Sequence, residues 1–325
     1  MARSYRPGRH HRRPVRLAYW GLGVAFVAAL STLAVSAQDN RFTVFIAVTE
    51  MAGGKPVVDL KPEDISFAES GMPGKVATLE RYNLPVKLTL TVDNGPDSDR
   101  ALEFYRTGLT GFIDALPADL EITLFTTAPQ PRQLVRATTD RGELKKGLGR
   151  LGRESDAPRF TDALMEFGER VDKDVKAKKV NYLPVIVMLS TIADDPTTYQ
   201  LPDVQKAVGT IAKNGAIGSV IMTTSKVGSS ENIRDLSEGR QGTIGRLLAQ
   251  ATRGQFQAVP DPKNMPSILL EWGKALGDLH TKQTNQYRLV LERPAGASGQ
   301  INPQNLELRV TRAGLTAAVS GNGRY

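Results

Sequence analysis

Alternating and helical patterns of apolar residues divide the chain into three parts. Residues 41–83 alternate apolar and polar positions between Gly/Pro turns, and every second residue from Phe42 to Val48 is apolar. This spacing predicts short strands with one buried face. From about residue 84 strand-like runs alternate with stretches of helical period, and after Gln283 the pattern is again that of strands.

The middle part predicts strands that alternate with helices. The strand-like run VKLTLTVD is followed by apolar residues at the i, i+3, i+4, i+7 spacing of one helix face, which ends at Pro117. The run YLPVIVMLS is the most apolar and predicts a central strand that is buried on both faces. Pro202 is expected to open a later helix, and Gly215 and Gly254 are expected at helix C-terminal caps.

We therefore predict a doubly wound, mostly parallel α/β sheet that is inserted between two β segments. The two β segments are expected to pair into a small domain that resembles a β-sandwich. The predicted boundaries are 1–37 for an export segment or N-terminal anchor, 38–83 for the N-terminal β segment, 84–282 for the α/β domain and 283–325 for the C-terminal β segment.

The first 37 residues have the pattern of an export signal. A basic stretch ends at Arg16, and 21 residues without a charge follow it. They close on Val35-Ser36-Ala37, the small-x-small pattern that a signal peptidase accepts. An uncleaved anchor is the alternative, since 21 apolar residues can span a bilayer. Both interpretations predict a secreted, periplasmic or cell-envelope protein that touches the membrane only through this segment, if the segment is retained.

The net charge of +8 is concentrated in the export segment and does not indicate nucleic-acid binding. Six of the 42 basic residues, all arginines, lie before residue 38, where the sequence has no acidic residue. The rest of the chain has 36 basic and 34 acidic residues. A basic groove for nucleic acid is therefore not supported.

The residue types needed for several classes of catalysis are scarce. The sequence has no cysteine, which excludes disulfides and thiol chemistry. Of its three histidines only His280 lies beyond the export segment, so a zinc site is not expected and a Ser-His-Asp triad would depend on that residue alone. We predict that His280 is solvated at a helix end and that the protein is not an enzyme.

Several segments, taken in order, resemble the von Willebrand factor type A family. They are GKPVVDLKPEDISFAESGMPGKV, VKLTLTVDNGPDS, RFTDAL, VIVMLS, LLAQATRGQFQAV and a closing stretch that begins QYRLVLERP. The flanks resemble bacterial exported proteins in which such a domain lies between β segments. The resemblance extends over nearly all of residues 41–325 and depends on the order of the six segments. It implies an adhesion or protein-binding function.

The resemblance also implies where a metal-ion-dependent adhesion site would lie. In this family an Asp-x-Ser-x-Ser loop, a threonine and a later aspartate hold a divalent cation, which binds an acidic group of the partner. The first aspartate matches Asp93. The two serine positions hold Gly95 and Asp97, the threonine position falls on Pro158, and the last aspartate position is Thr191.

Gly95 and Pro158 have no side-chain oxygen, and we therefore predict a degenerate site without a cofactor. Asp93 is then structural. The first alternative is a rebuilt Mg²⁺ or Ca²⁺ site that uses Asp93 and Asp97, with Asp194 or Asp195 as a further ligand. The second alternative is a hydrolase that uses Asp93 or Asp97.

The polar loops at the carboxyl ends of the strands are the predicted partner-binding surface. In open α/β sheets ligands bind at this edge. Asp93 and Asn94 are expected to begin a turn there, and Asp97 or Ser98 to cap the next helix. The predicted contacts to a protein partner are Asn94, Asp194, Asp195, Ser229 and Glu231.

Overall fold

The computed structural model describes residues 40–224 and 233–325, with the backbone alone for residues 233–235. The strands are β1 (Arg41–Glu50), β2 (Ile65–Glu69), β3 (Met72–Pro73), β4 (Lys75–Tyr82), β5 (Val86–Val92), β6 (Glu121–Thr126), β7 (Arg132–Thr138), β8 (Leu183–Thr191), β9 (Ile217–Thr223), β10 (Phe256–Val259), β11 (Gln286–Glu292), β12 (Leu306–Val310) and β13 (Leu315–Ser320). The helices are α1 (Leu102–Ala115), α2 (Arg141–Gly149), α3 (Phe160–Lys176), α4 (Leu201–Lys213), α5 (Ile233–Glu238), α6 (Arg240–Thr252) and α7 (Met265–Thr284).

The middle of the chain forms a six-stranded sheet in the order β10-β9-β8-β5-β6-β7. The strands from β10 to β6 run parallel, and β7 lies antiparallel to β6 at the edge. All nine residues of β8 are buried, which confirms the predicted central strand. The predicted doubly wound, mostly parallel α/β sheet is confirmed.

Two apolar cores cover the two faces of this sheet. Val185 and Val187 of β8 pack with residues of α1, α2 and α7, whereas Ile186 and Met188 pack with residues of α3, α4 and α6. This alternation follows from the period of two along a strand. Because each fully buried aliphatic side chain contributes about 1.5–3 kcal/mol, the two cores hold the strand ends in fixed positions.

The flanking β segments interlock in two further sheets. One has the order β13-β1-β11-β4 and the other the order β12-β2-β3. In the first sheet Ile46 lies between Tyr287 and Val319, so the start of the chain pairs with two strands from its end. The sheets share an apolar core in which the rings of Phe42 and Phe67 lie 5.6 Å apart, edge to face.

Some local predictions need correction. Strand β7 was not expected, because Val135 alone of its seven residues is buried and the alternation is therefore weak. Neither Asp97 nor Ser98 caps α1, since the Ser98 hydroxyl donates to the Gly95 carbonyl within a preceding 3₁₀ turn. The predicted cap at Gly215 is confirmed by its φ of 72°.

His280 is not solvated, so that prediction is wrong. It is 1% exposed, because α7 packs across the beginning of β5. Its Nδ1 accepts a hydrogen bond of 3.2 Å from the Val86 amide, and its Nε2 lies 3.3 Å from an oxygen of Asp119. Since β5 is seven residues long, about 20 Å separate this imidazole from the opposite end of the strand.

None of the helices within residues 40–224 and 233–325 combines the length and the hydropathy needed to cross a bilayer. The predicted export segment, residues 1–37, lies outside the described residues.

Candidate functional site at the carboxyl edge of the sheet

Asp93 joins the ends of the two central strands. It follows β5, and Thr191 ends the neighbouring β8, so both lie at the carboxyl edge of the parallel sheet. Its Oδ1 accepts a hydrogen bond of 2.8 Å from the Gly95 amide, and its Oδ2 accepts one of 2.9 Å from the Thr191 amide. The side chain is buried, because Asp93 is 1% exposed. Each carboxylate oxygen is therefore already bound to the backbone.

The surroundings of Asp93 raise its pKa to about 6. Removal of the charged carboxylate from water is the main cause, and the negative charge of Asp97 adds to it. The two amide donors act in the opposite direction, since they stabilise the charged form. The effect of burial on the pKa thus exceeds that of the two hydrogen bonds. The charged carboxylate is therefore retained here at a cost in the free energy of folding.

Tyr105 supports this junction from α1. Its hydroxyl lies 3.0 Å from Oγ1 of Thr191, and the whole side chain is buried. Burial and the nearby charge of Asp93 both raise the pKa of Tyr105, so the phenol stays protonated. Thr191 therefore binds Asp93 through its amide and Tyr105 through its hydroxyl. Neither the amide nor the hydroxyl of Thr191 is directed to solvent.

Gly95 and Pro158, two positions where the family has hydroxyl ligands, pack against each other. A Cβ placed on Gly95 would lie 2.7 Å from Cδ of Pro158 and 3.1 Å from its nitrogen. Such distances are shorter than van der Waals contact, so a serine at position 95 would require Pro158 to move. The proline ring fills the space into which a serine side chain would point.

Asn94 is a cross-link between loops. It is 2% exposed, its Nδ2 donates to the Gly152 carbonyl at 3.0 Å, and its Oδ1 accepts from the Ala128 amide at 3.1 Å. Its carbonyl accepts a further bond of 2.7 Å from the Glu154 amide. The side chain therefore has its polar atoms directed into the protein in this conformation.

Asp195 ties the loop after β8 to the beginning of α3. Its carboxylate accepts hydrogen bonds from the amide and the hydroxyl of Thr161, which is itself fully buried. Burial raises the pKa of Asp195, and the bonds from Thr161 act in the opposite direction. The hydroxyl nearest to the family's threonine ligand is thus bound to Asp195 and not to Asp93.

A second set of bonds fixes the same loop. Asp162 accepts a hydrogen bond from the Thr197 hydroxyl and lies 3.2 Å from the guanidinium of Arg159. The Arg159 guanidinium also donates to the Pro196 carbonyl at 2.9 Å and the Pro129 carbonyl at 3.1 Å. The loop is therefore held over the start of α3 by charged groups that are half-buried.

The other predicted site residues are placed differently. Asp97 and Asp194 are exposed at the carboxyl edge. Ser229 and Glu231 lie outside the described residues. The structure therefore brings Asp93, Asn94, Asp97, Asp194 and Asp195 to one edge of the sheet, with Asp97 and Asp194 at its surface.

These residues do not fit the divalent cation that the fold family implies. Gly95 and Pro158 supply no side-chain oxygen, and the side-chain oxygens of Thr161 and Thr191 are bound to Asp195 and Tyr105. Asp93 itself is 1% exposed. Within residues 40–224 and 233–325 no group of three or more His, Cys, Asp or Glu side chains could hold a metal ion.

Tyr105 was not predicted to lie at this site. Its place on the apolar face of α1 is sufficiently explained by a role in the core. A tyrosine hydroxyl on a fully buried helix face needs a hydrogen-bond partner, and this requirement was the available signal.

The topology of the sheet identifies its fold. Strand order increases from β5 through β6 to β7 on one side of the centre and from β8 to β10 on the other, with helices on both faces. This arrangement is a von Willebrand factor type A-like fold.

Solved structures similar to this chain share little sequence with it. A von Willebrand factor type A structure from Catenulispora acidiphila is 14% identical, with a TM-score of 0.47 over 81% of this chain and 68% of that chain. The conserved hypothetical protein BatB from Bacteroides thetaiotaomicron is 13% identical, with a TM-score of 0.40 over 59% of this chain and 98% of that chain. The manganese-loaded TRAP protein of Plasmodium vivax is 14% identical, with a TM-score of 0.43 over 71% of this chain and 95% of that chain.

At these identities the likeness concerns the fold alone. No protein-family profile matches the chain, and no curated protein matches it.

Proposed function

We propose that this protein is an exported, non-enzymatic binding module with a degenerate adhesion site, which contacts a protein partner through the carboxyl edge of its sheet without a bound metal. The observation that carries the proposal is the state of Asp93. Both of its oxygens accept backbone hydrogen bonds, and it is 1% exposed. A family ligand residue has here become a link between the ends of β5 and β8.

The packing of Gly95 on Pro158 supports the same proposal. A cation site needs space and several oxygens, whereas this contact removes the space and supplies no side-chain oxygen. The arrangement also argues against the hydrolase alternative. A nucleophilic carboxylate must reach its substrate, and Asp93 is enclosed by its own backbone contacts.

The side chain of His280 is also far from this edge. His280 is buried at the other end of β5, where its Nδ1 is bound to the Val86 amide. It cannot act as a base for a group near Asp93, because a general base must lie within hydrogen-bond reach of the proton it removes.

The surface left for a partner comprises exposed polar residues of the loops. Asp97 and Asp194 are exposed at this edge, beside loops held in place by Asn94, Asp195 and Arg159. A rigid frame lowers the entropy lost on binding, so these loops suit protein recognition. The export of the chain rests on the basic stretch and the uncharged run that precede residue 38.

Calorimetric titration with Mg²⁺, Ca²⁺ and Mn²⁺ tests the metal-free part of the proposal. We expect no binding tighter than about 1 mM, because too few oxygens are available. Micromolar binding that Asp93→Ala abolishes and Asp99→Ala retains would show that the site is rebuilt and not degenerate.

Site-specific photo-crosslinking tests the partner surface. A crosslinker at position 194 is expected to trap one envelope protein, with equal yield in the presence and absence of EDTA. A crosslinker at Arg309, which is exposed in the flanking β segment, is the matched control. Equal products from both positions, or loss of the product in EDTA, would contradict the proposal.

A further inference from the structure

A cavity lies at the edge of the sheet opposite Asp93. Its volume is about 420 Å³, within the range of small-molecule sites. It is lined by Val175, Lys178, Val180, Lys213, Asn214 and Arg324. These residues come from the C-terminal end of α3 and its connection to β8, from the C-terminal end of α4 and from the segment after β13. The cavity is therefore built by both the α/β domain and the flanking β unit.

The charged residues of this lining are all cations. In the part of the chain that the structure describes, no carboxylate lies within 4.0 Å of the side-chain nitrogens of Lys178, Lys213 or Arg324. Asp172 is nearby: it is paired with Lys176 at 2.5 Å, accepts a hydrogen bond from Asn214 and also interacts with the charge of Lys213. The wall of the cavity thus has three cations and no carboxylate of its own.

The position of Arg324 is fixed by α4. Its Nη1 donates to the Asn214 carbonyl at 3.2 Å, and its guanidinium occupies the space where a Cβ of residue 215 would lie. Gly215 adopts a φ of 72°, so this residue is glycine both for its backbone conformation and for the space it leaves. The guanidinium is half-buried and has donors beyond the one used by Asn214.

Helix ends neutralise these cations only in part. The C-termini of α3 and α4 meet near the cavity, and each helix end is equivalent to roughly half a negative charge. The two ends together offset about one of the three positive charges. A positive excess therefore remains beside two valine side chains.

We propose that this cavity binds a small organic oxyanion, with its phosphate or carboxylate group on Lys178, Lys213 and Arg324 and its apolar part against Val175 and Val180. The bound anion bridges the α/β domain and the segment after β13, so it stabilises their contact. The site lies at the opposite edge from the proposed partner surface and is independent of it.

Calorimetry and thermal unfolding of the purified protein at constant ionic strength test the proposal. The probes are phenyl phosphate, benzoate and inorganic phosphate. We expect at least one of the two organic anions to bind in the millimolar range or tighter and to raise the Tm. A preference for phenyl phosphate assigns a phosphate ester to the site, and a preference for benzoate assigns a carboxylate.

Paired variants separate a built site from general attraction to a basic surface. The double variant Lys178→Ala, Lys213→Ala should bind the preferred probe at least about tenfold more weakly, as expected for the loss of charge-assisted hydrogen bonds. Lys179→Ala, which removes an exposed neighbouring charge outside the cavity, should bind as the unchanged protein does. Arg324→Lys should weaken binding while it preserves the charge, because the fork of donors is lost.

Failure of both phenyl phosphate and benzoate to bind at 10 mM would overturn the proposal. Equal weakening in the double variant and in Lys179→Ala would also overturn it, since binding would then follow net charge alone. The two lysines are exposed, so their replacement leaves the fold intact and the result interpretable.

Discussion

The two edges of the α/β sheet use their polar side chains in opposite ways. At the carboxyl edge Asp93, Asn94 and Asp195 are bound to backbone or hydroxyl groups of the protein itself. At the opposite edge Lys178, Lys213 and Arg324 line a cavity, and no carboxylate of the described residues lies within 4.0 Å of their side-chain nitrogens. The comparison teaches that polar side chains at one edge of a sheet can serve internal structure, while cations at the other edge remain available to a ligand.

The largest expected effect concerns the charge of Asp93. Its pKa is about 6 in the folded protein and 3.8 unfolded, so the folded state binds more protons between these values. The free energy of unfolding should therefore fall by about 3 kcal/mol as the pH rises from about 4 to about 6 and should stay level above that. In Asp93→Asn this pH-dependent fall in the free energy of unfolding should be absent.

Denaturant unfolding at several pH values measures this difference. The stability of the unchanged protein minus that of Asp93→Asn should decrease across the pH window. Asp99→Asn, an exposed acid of the same edge, should leave the profile unchanged. Parallel profiles for the unchanged protein and Asp93→Asn would show that Asp93 is not desolvated as described.

The next effect tests the contact of Arg324 with α4. Gly215→Ala should lower the free energy of unfolding by about 2 kcal/mol, since alanine is disfavoured at positive φ and its Cβ displaces the guanidinium. In an Arg324→Ala background the cost should fall to about 1 kcal/mol. Gly209→Ala, within α4, is the control, because its Cβ meets no neighbour. An equal cost in both backgrounds would mean that the contact is not formed.

A similar double-mutant cycle at the carboxyl edge tests the packing of Gly95 against Pro158. Gly95→Ser should destabilise the protein by about 1–2 kcal/mol, because its Cβ would lie 2.7 Å from Cδ of Pro158. Pro158→Ala should relieve most of that cost, and chemical denaturation of the four proteins in the cycle measures the coupling. Gly111→Ser, with no atom within 4 Å of its Cβ, is the matched control. Additive costs would contradict the proposed steric contact.

The smallest effect concerns the hydroxyl of Tyr105. Tyr105→Phe should cost about 1 kcal/mol, because the hydrogen bond to Thr191 is lost in a buried site. Thr191→Val should add little in that background, since the two changes remove the same bond. Tyr199→Phe, in a half-buried loop, should stay within about 0.5 kcal/mol of the unchanged protein. A larger loss of stability in Tyr199→Phe would invalidate its use as the control for Tyr105→Phe.

Local periodicity accounts for most of the elements that sequence reasoning predicted. The continuous apolar run of β8 reflects burial on two faces, and the helical spacing after β5 reflects burial on one. Burial of either kind leaves a pattern in neighbouring residues. Strand β7 escaped prediction because an edge strand with one buried residue has almost no pattern. His280 was misplaced because its burial depends on how α7 crosses β5 and not on its neighbours in sequence.

The sequence by itself determined most of the strands and helices, though not β7, and the absence of side-chain oxygens at Gly95 and Pro158. Those properties depend on residue type and spacing, which can be read from the chain. Only the tertiary structure decided that Asp93 binds the Thr191 amide, 98 residues away, and that Arg324 lies on the end of α4. Such contacts arise because parallel strand register and helix packing bring distant residues together, and no local pattern encodes that juxtaposition.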